Sequence, residues 1–125
     1  MKKIKLDFGS FVLEAELNET GTADEIYRSL PIESKVNLWG EEIYFKIPVI
    51  RDNELPTMRI SVGDLGYWPE DSCLCVFFGK TPVSKDNTPL PYSEVTVVGR
   101  FSTTRKDIEN LKGVKQLQKI KILKG

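Results

Sequence analysis

Alternation of apolar and polar residues over the first seventeen positions is the strongest constraint on the fold. From residue 3 to 8, and again from 11 to 17, every second side chain is apolar, and Gly9-Ser10 separates the two runs. Successive side chains of a strand point to opposite faces, so each run predicts a strand with one buried face. Together the runs predict a β-hairpin at the start of the chain.

Short strands dominate the rest of the sequence. Patterns at residues 36–39, 42–47, 95–98 and 117–122 each predict a strand. Pro48 indicates that the strand at 42–47 either ends there or runs along an edge of the sheet. Two further strands, at 63–69 and 74–78, are predicted to be central and buried. The chain is therefore expected to be mainly β.

Two helices interrupt these strands. Thr22–Leu30 predicts a helix with Thr22 as N-cap and Glu25 completing a capping box, and Pro31 ends it. A second helix is predicted over 106–112, after Thr103 or Thr104 and before Gly113.

Residues 79–93 predict an irregular loop. Three prolines, at 82, 89 and 91, and the polar run Lys85-Asp86-Asn87 exclude a regular element there. Long loops of this kind are often functional.

Length and composition narrow the function further. The chain has 125 residues, the size of one domain, and 18 basic residues balance 18 acidic ones, so a nucleic-acid partner is not expected. No apolar stretch is long enough for export or membrane insertion, which predicts a cytoplasmic protein with no membrane association. Cys73 and Cys75, on one face of a strand, are expected to be buried, reduced thiols.

The sequence contains no histidine. Histidine is the commonest general base and metal ligand, so a metalloenzyme or a Ser-His hydrolase is not expected. We expect no metal and no cofactor.

The order of these elements resembles that of the cyclophilins, the peptidyl-prolyl isomerases. Tyr44–Pro48 is similar to their Phe-His-Arg-Val-Ile-Pro strand, and Val76–Phe78 stands where they carry Gln-Phe-Phe. More closely, Val36–Phe45 and Gly63–Pro69 resemble a small prokaryotic cyclophilin-like family of unknown function. The resemblance implies one domain over 1–125, a closed antiparallel cyclophilin-like β-barrel of about eight strands with two short helices.

Departures from the cyclophilin pattern bear on catalysis. Cyclophilins use an arginine, whose planar guanidinium group donates a hydrogen bond to the prolyl amide. Lys46 stands at the matched position, and its ammonium group is a mobile point charge without that planar donor geometry. Val76 replaces the glutamine, and Phe78 alone carries over. We therefore expect a protein that binds a small molecule or extended peptide in a groove beside the barrel, without efficient prolyl isomerisation.

The candidate ligand-binding residues combine apolar surface with polar ends. By the resemblance, Trp68 lies at the floor of the pocket that holds the prolyl ring in cyclophilins. Its large ring either fills that pocket or lines it as a stacking surface for a ligand. If Phe45 packs inward, Glu42, Tyr44 and Lys46 form a stripe on the outer face of the strand. This stripe either binds a polar group of a ligand or is simply a face exposed to solvent. The predicted set is Glu42, Tyr44, Met58, Arg59, Tyr67, Trp68 and Phe78.

Two alternatives remain open at this point. One is a true isomerase that uses Arg59 in place of the missing arginine. The other is a non-enzymatic interaction module with a filled barrel. A monomer is expected, or a weak dimer through the strand before Pro48.

Overall fold

A computed structural model describes residues 1–125 as one nine-stranded antiparallel sheet with two short helices. The helices are α1 (Gly21–Arg28) and α2 (Arg105–Lys112). The strands are β1 (Lys2–Asp7), β2 (Val12–Leu17), β3 (Ile32–Lys35), β4 (Asn37–Leu38), β5 (Glu42–Lys46), β6 (Asp64–Trp68), β7 (Cys73–Phe77), β8 (Thr96–Phe101) and β9 (Lys119–Lys124). The mainly β class is confirmed, with nine strands because residues 32–35 add a strand that the sequence analysis missed.

The predicted N-terminal hairpin is confirmed. Ile4 of β1 lies opposite Ala15 of β2, and Leu6 lies opposite Leu13. All four side chains are buried. At the turn, the amide of Gly9 donates a 2.8 Å hydrogen bond to the carboxylate of Asp7, so the pattern of residues and the turn chemistry agree.

The sheet bends into a nearly closed barrel. Its strand order is β3-β9-β1-β2-β8-β6-β7-β5-β4, so the two edge strands are consecutive in the chain and only Val36 separates them. Val36 donates to the carbonyl of Gln118 at 2.9 Å and accepts from the amide of Leu117 at 2.7 Å. The chain thereby passes from one edge of the sheet directly to the other.

Helix α1 begins one residue before the predicted start. The cap is Thr20, whose hydroxyl oxygen accepts a 3.1 Å hydrogen bond from the amide of Ala23. The prediction of Thr22 as N-cap, with Glu25 completing a capping box, was therefore wrong. Thr22 instead donates from its hydroxyl to the carboxylate of Glu54 at 2.7 Å. Neither helix is long and apolar enough to span a membrane.

The main core fills the interior of the barrel. It combines alternate residues of the strands with Ala23 and Ile26 of α1 and Leu111 of α2. Inward-facing residues of the central strands include Ile43, Phe45, Leu65, Tyr67, Leu74 and Val76. Because these positions alternate with others along each strand, the remaining residues of β5, β6 and β7 are left on the outer face.

Candidate functional site

A smaller apolar cluster covers the outer face of β5, β6 and β7. Ile43 and Phe45 point into the core, so their neighbours Glu42 and Tyr44 point outward. The buried members of this outer cluster are Ile60, Cys75, Phe77 and Val95, with Tyr44, Trp68 and Val97 packed against them. The outer face of these strands is therefore a second apolar environment, separate from the core.

A pocket opens on this face. Its cavity has a volume of about 160 Å³ and is open to solvent on one side. The strands supply one side of it, and the end of the loop at residues 79–95 supplies the other. Its lining residues are Trp39, Glu42, Tyr44, Trp68, Cys75, Phe77, Pro91, Tyr92, Ser93 and Val95.

Gly66 explains how the floor of the pocket packs. A Cβ at this position would lie 3.1 Å from Cε2 of Phe77 and 3.2 Å from Cγ2 of Val95, tighter than ordinary contact. The missing side chain lets these two residues meet over β6. A glycine inside a buried strand here has a packing role.

Four aromatic rings form the wall of the pocket in a continuous series. Trp39 contacts Tyr92 with ring centroids 6.1 Å apart, and Tyr92 contacts Trp68 at 6.2 Å. Trp68 contacts Tyr44 at 6.3 Å. The interplanar angles of 77°, 78° and 85° are those of edge-to-face packing, so the wall turns from ring to ring and surrounds the space on more than one side.

Glu42 is the only charged residue in the lining. Its residue surface is 6% exposed, and its Oε1 atom is buried without a hydrogen-bond partner. Burial disfavours the carboxylate and raises the pKa of Glu42 to about 7, although a hydrogen bond from the neighbouring Cys75 thiol partly offsets this effect. The nearby lysines serve other carboxylates, since Lys112 lies 3.8 Å from Glu41 and Lys46 lies 3.1 Å from Asp71.

The two cysteines are reduced and buried, as predicted. Burial, together with the nearby Asp71 carboxylate, raises the pKa of Cys73 to about 12. Burial and the adjacent Glu42 raise the pKa of Cys75 well above the ordinary thiol value. Both groups remain protonated at neutral pH, so neither is an activated nucleophile.

Hydrogen bonds hold the covering loop in place. The indole Nε1 of Trp68 donates to the hydroxyl oxygen of Ser93 at 2.7 Å. Within the loop, the Thr81 hydroxyl donates to the carbonyl of Leu90 at 2.6 Å. The loop has no regular element, as the sequence predicted, but its chain path is fixed by these contacts.

Three of the seven predicted site residues meet at this pocket: Glu42, Tyr44 and Trp68. Tyr67 and Phe78 belong to the barrel core instead. Tyr67 is fully buried, and its hydroxyl donates to the carbonyl of Val49 at 2.7 Å and accepts from the amide of Arg51 at 3.2 Å. Its role in the structure is to anchor the segment that follows β5.

Met58 and Arg59 lie on a different surface. They line a shallow depression together with residues 60–61 and the loop residues Lys85, Asp86 and Thr88–Leu90. The structure therefore separates the predicted arginine donor from the aromatic wall.

The pocket residues contributed by turns and by the loop were not predicted from the sequence. Trp39 stands before the Gly40-Glu41 turn, and Tyr92 and Ser93 follow Pro91. The only available signals were the aromatic residue beside the turn and the length of the proline-bearing loop. Neither signal identifies which strands the loop covers.

Comparison with known proteins gives the family. A model of the family described as cyclophilin-like matches residues 2–123. The chain belongs to the cyclophilin-like family. The solution structure of a hypothetical protein from Archaeoglobus fulgidus matches with a TM-score of 0.82 and 34% sequence identity, covering 99% of this chain and 95% of that one. No curated protein matches the chain.

In this cyclophilin-like protein, Lys46, which the sequence resemblance matches to the arginine of the cyclophilins, is not part of the pocket. Lys46 is exposed at the end of β5 and pairs with Asp71. The lining contains neither arginine nor lysine. The pocket can offer aromatic surface and one buried carboxyl group.

Proposed function

We propose that this protein binds a small molecule in the aromatic pocket and does not catalyse efficient prolyl isomerisation. The observation that carries the proposal is the unpartnered, buried Oε1 of Glu42 beside a cavity. A buried polar group without a partner costs about 1–3 kcal/mol. A ligand donor would supply the missing partner, while the rings would supply contact area.

The size of the cavity supports a small molecule as the ligand. A dry apolar cavity of about 150 Å³ accommodates benzene, and this one encloses about 160 Å³. It is suited to one six-membered ring or a group of similar size. An extended peptide would need further subsites along the surface.

The absence of arginine from the lining supports the second half of the proposal. The ammonium group of Lys46 lies outside the pocket and is engaged by Asp71. Arg59, the substitute that the sequence suggested, lies on the separate depression. An isomerase assay with a proline peptide tests this directly, and turnover at a rate typical of cyclophilins would contradict it.

The barrel interior is filled by the core, but Trp68 lines a pocket on its outer face and leaves that pocket open. This supports a binding site over an interaction module with a filled barrel and no pocket. The two tryptophans of the chain, Trp39 and Trp68, both line this pocket. Intrinsic tryptophan fluorescence therefore reports on the site directly.

The test is a search by native mass spectrometry for co-purifying small molecules, followed by a fluorescence and thermal-shift screen of metabolites. A ligand should change the fluorescence and raise the melting temperature. Trp68→Ala should abolish the thermal shift, whereas Ile50→Ala, at an exposed position outside the pocket, should preserve it. A folded Trp68→Ala variant that binds with unchanged affinity would contradict the proposal.

A further inference from the structure

We infer that the ligand of this pocket is a compact organic amine, bound as its ammonium ion with one N–H donated to Glu42 and its carbon skeleton against the aromatic wall. This inference rests on the proposed function and adds the charge class of the ligand. It follows from three features of the lining: one acid, no bases and the series of four aromatic rings that forms its wall.

The first feature is the charge of the wall. Glu42 contributes the only formal charge, and its unpartnered Oε1 accepts hydrogen bonds when ionised. A carboxylate or phosphate ligand would meet this group with repulsion and find no lysine or arginine in the lining. A ligand that carries a positive charge on a donor matches it.

The second feature is the arrangement of the rings. Trp39, Tyr92, Trp68 and Tyr44 stand nearly perpendicular to their neighbours along the series. A cation near an aromatic face is attracted by the negative potential of that face, most strongly with tryptophan. Rings at changing angles around a small space can contact several sides of one ammonium group.

The third feature is that no group of the protein neutralises Glu42. The titratable groups that face it are the phenols of Tyr44 and Tyr92 and the thiols of Cys73 and Cys75, from β5, the loop and β7. None of these is a cation. Burial raises the pKa of Tyr44, and the nearby Cys73 and Glu42 raise it further, so the phenol stays neutral and remains a donor or acceptor.

The pH dependence of binding separates a cation from a neutral ligand. The pKa of Glu42 in the free protein is about 7, so an ammonium ion must displace a proton at lower pH. Affinity for a cation should then fall about tenfold per pH unit below 7. A neutral acceptor bound by protonated Glu42 would show the opposite dependence, weakening above pH 7.

The experiment measures tryptophan fluorescence with matched probes: benzylamine and piperidine as cations, benzyl alcohol and cyclohexanol as neutral analogues, and benzoate as an anion. The amines should bind best at pH 8, and Glu42→Gln should weaken them by about tenfold or more. The neutral analogues should change little in that variant.

Two outcomes would overturn the inference. If benzyl alcohol or benzoate binds as tightly as benzylamine, or if Glu42→Gln leaves amine affinity unchanged, the ligand class is wrong but the pocket still binds small molecules. If no probe of any charge binds, and the metabolite screen is also negative, then the proposed function fails with it.

Discussion

Trp68 and Ser93 are joined by a 2.7 Å hydrogen bond from the indole Nε1 to the hydroxyl oxygen, which fastens the covering loop to strand β6. The adjacent Tyr92 completes the aromatic series although 71% of its surface is exposed. The hydrogen bond of Ser93 therefore holds the backbone next to this ring against β6.

Ser93→Ala should loosen the rim of the pocket. Loss of the acceptor leaves the partly buried indole N–H unpaired, and we expect a loss of stability of about 1 kcal/mol. Ligand affinity should fall as well, because Tyr92 is no longer held in place. Chemical denaturation and fluorescence titration measure the two effects, and Ser93→Thr, which keeps a hydroxyl, is the matched control. Full affinity in the alanine variant would show that the loop is held by other contacts.

Glu42→Gln should change how stability depends on pH. The pKa of Glu42 is about 7 in the folded state, against 4.5 for a glutamate exposed to water, so the folded protein binds the extra proton between these values. Stability of the natural protein should therefore fall as pH rises from about 4.5 to 7, by roughly 3 kcal/mol at most. The variant should lack this decline and be more stable than the natural protein at pH 8.

Denaturation curves at pH 5 and pH 8 test whether the stability of the natural protein falls as pH rises. Glu33→Gln is a suitable control because Glu33 is an exposed carboxylate outside the pocket, 3.8 Å from Lys121. Equal pH dependence in the natural protein and in Glu42→Gln would mean that Glu42 is not strongly desolvated.

Tyr67→Phe should reduce stability without changing ligand affinity. The variant loses the donor to Val49 and the acceptor for Arg51 while keeping the ring. Because these groups lie in or near the core, we expect a loss of about 1–3 kcal/mol. Tyr27→Phe, whose ring lies under Lys2 and Lys124, controls for loss of a phenol. A large loss of ligand affinity in a folded Tyr67→Phe variant would show that Tyr67 contributes to the binding site.

Glu54→Ala should destabilise helix α1. The carboxylate accepts from the amides of Gly21 and Thr22 at 3.1 and 2.9 Å, as well as from the Thr22 hydroxyl. The hydrogen bonds from Thr22, followed by that from the Gly21 amide, lower the pKa of Glu54. Its contribution is therefore present above the ordinary glutamate pKa of 4.5 and is lost in acid, where the melting temperatures of variant and natural protein should converge. A constant difference across that range would point to a packing effect.

The elements that sequence analysis predicted well are those with a local signal. The hairpin follows from alternation around Gly9, and α2 follows from Thr104 and Gly113, which are the caps in the structure. Helix α1 was displaced because Thr20 and Thr22 are both good caps, and the choice between them depends on Glu54, which is distant in sequence. Local pattern alone could not decide it.

The sequence did not show which candidate site residues lie at the pocket, for a related reason. Strand β6 carries large apolar residues on both faces, so its sequence does not say whether Tyr67 or Trp68 points into the core. The choice depends on register, and Gly66 and Trp68 lie on the outer face opposite Cys75 and Cys73. Tyr92 reaches the pocket through the fold of an irregular loop, which has no period to detect.

The single residue between β3 and β4 has a consequence for how the molecule comes apart. Open sheets can lose an outer strand and leave the remainder intact, and such local openings dominate the exchange of outer amides. Here the two outermost strands are joined through Val36, so displacement of β3 from β9 also displaces β4. Strand β4 carries Asn37, which lies opposite Tyr44 of β5. Local opening where the two sheet edges meet should therefore also increase amide exchange in β5, the strand that carries Glu42.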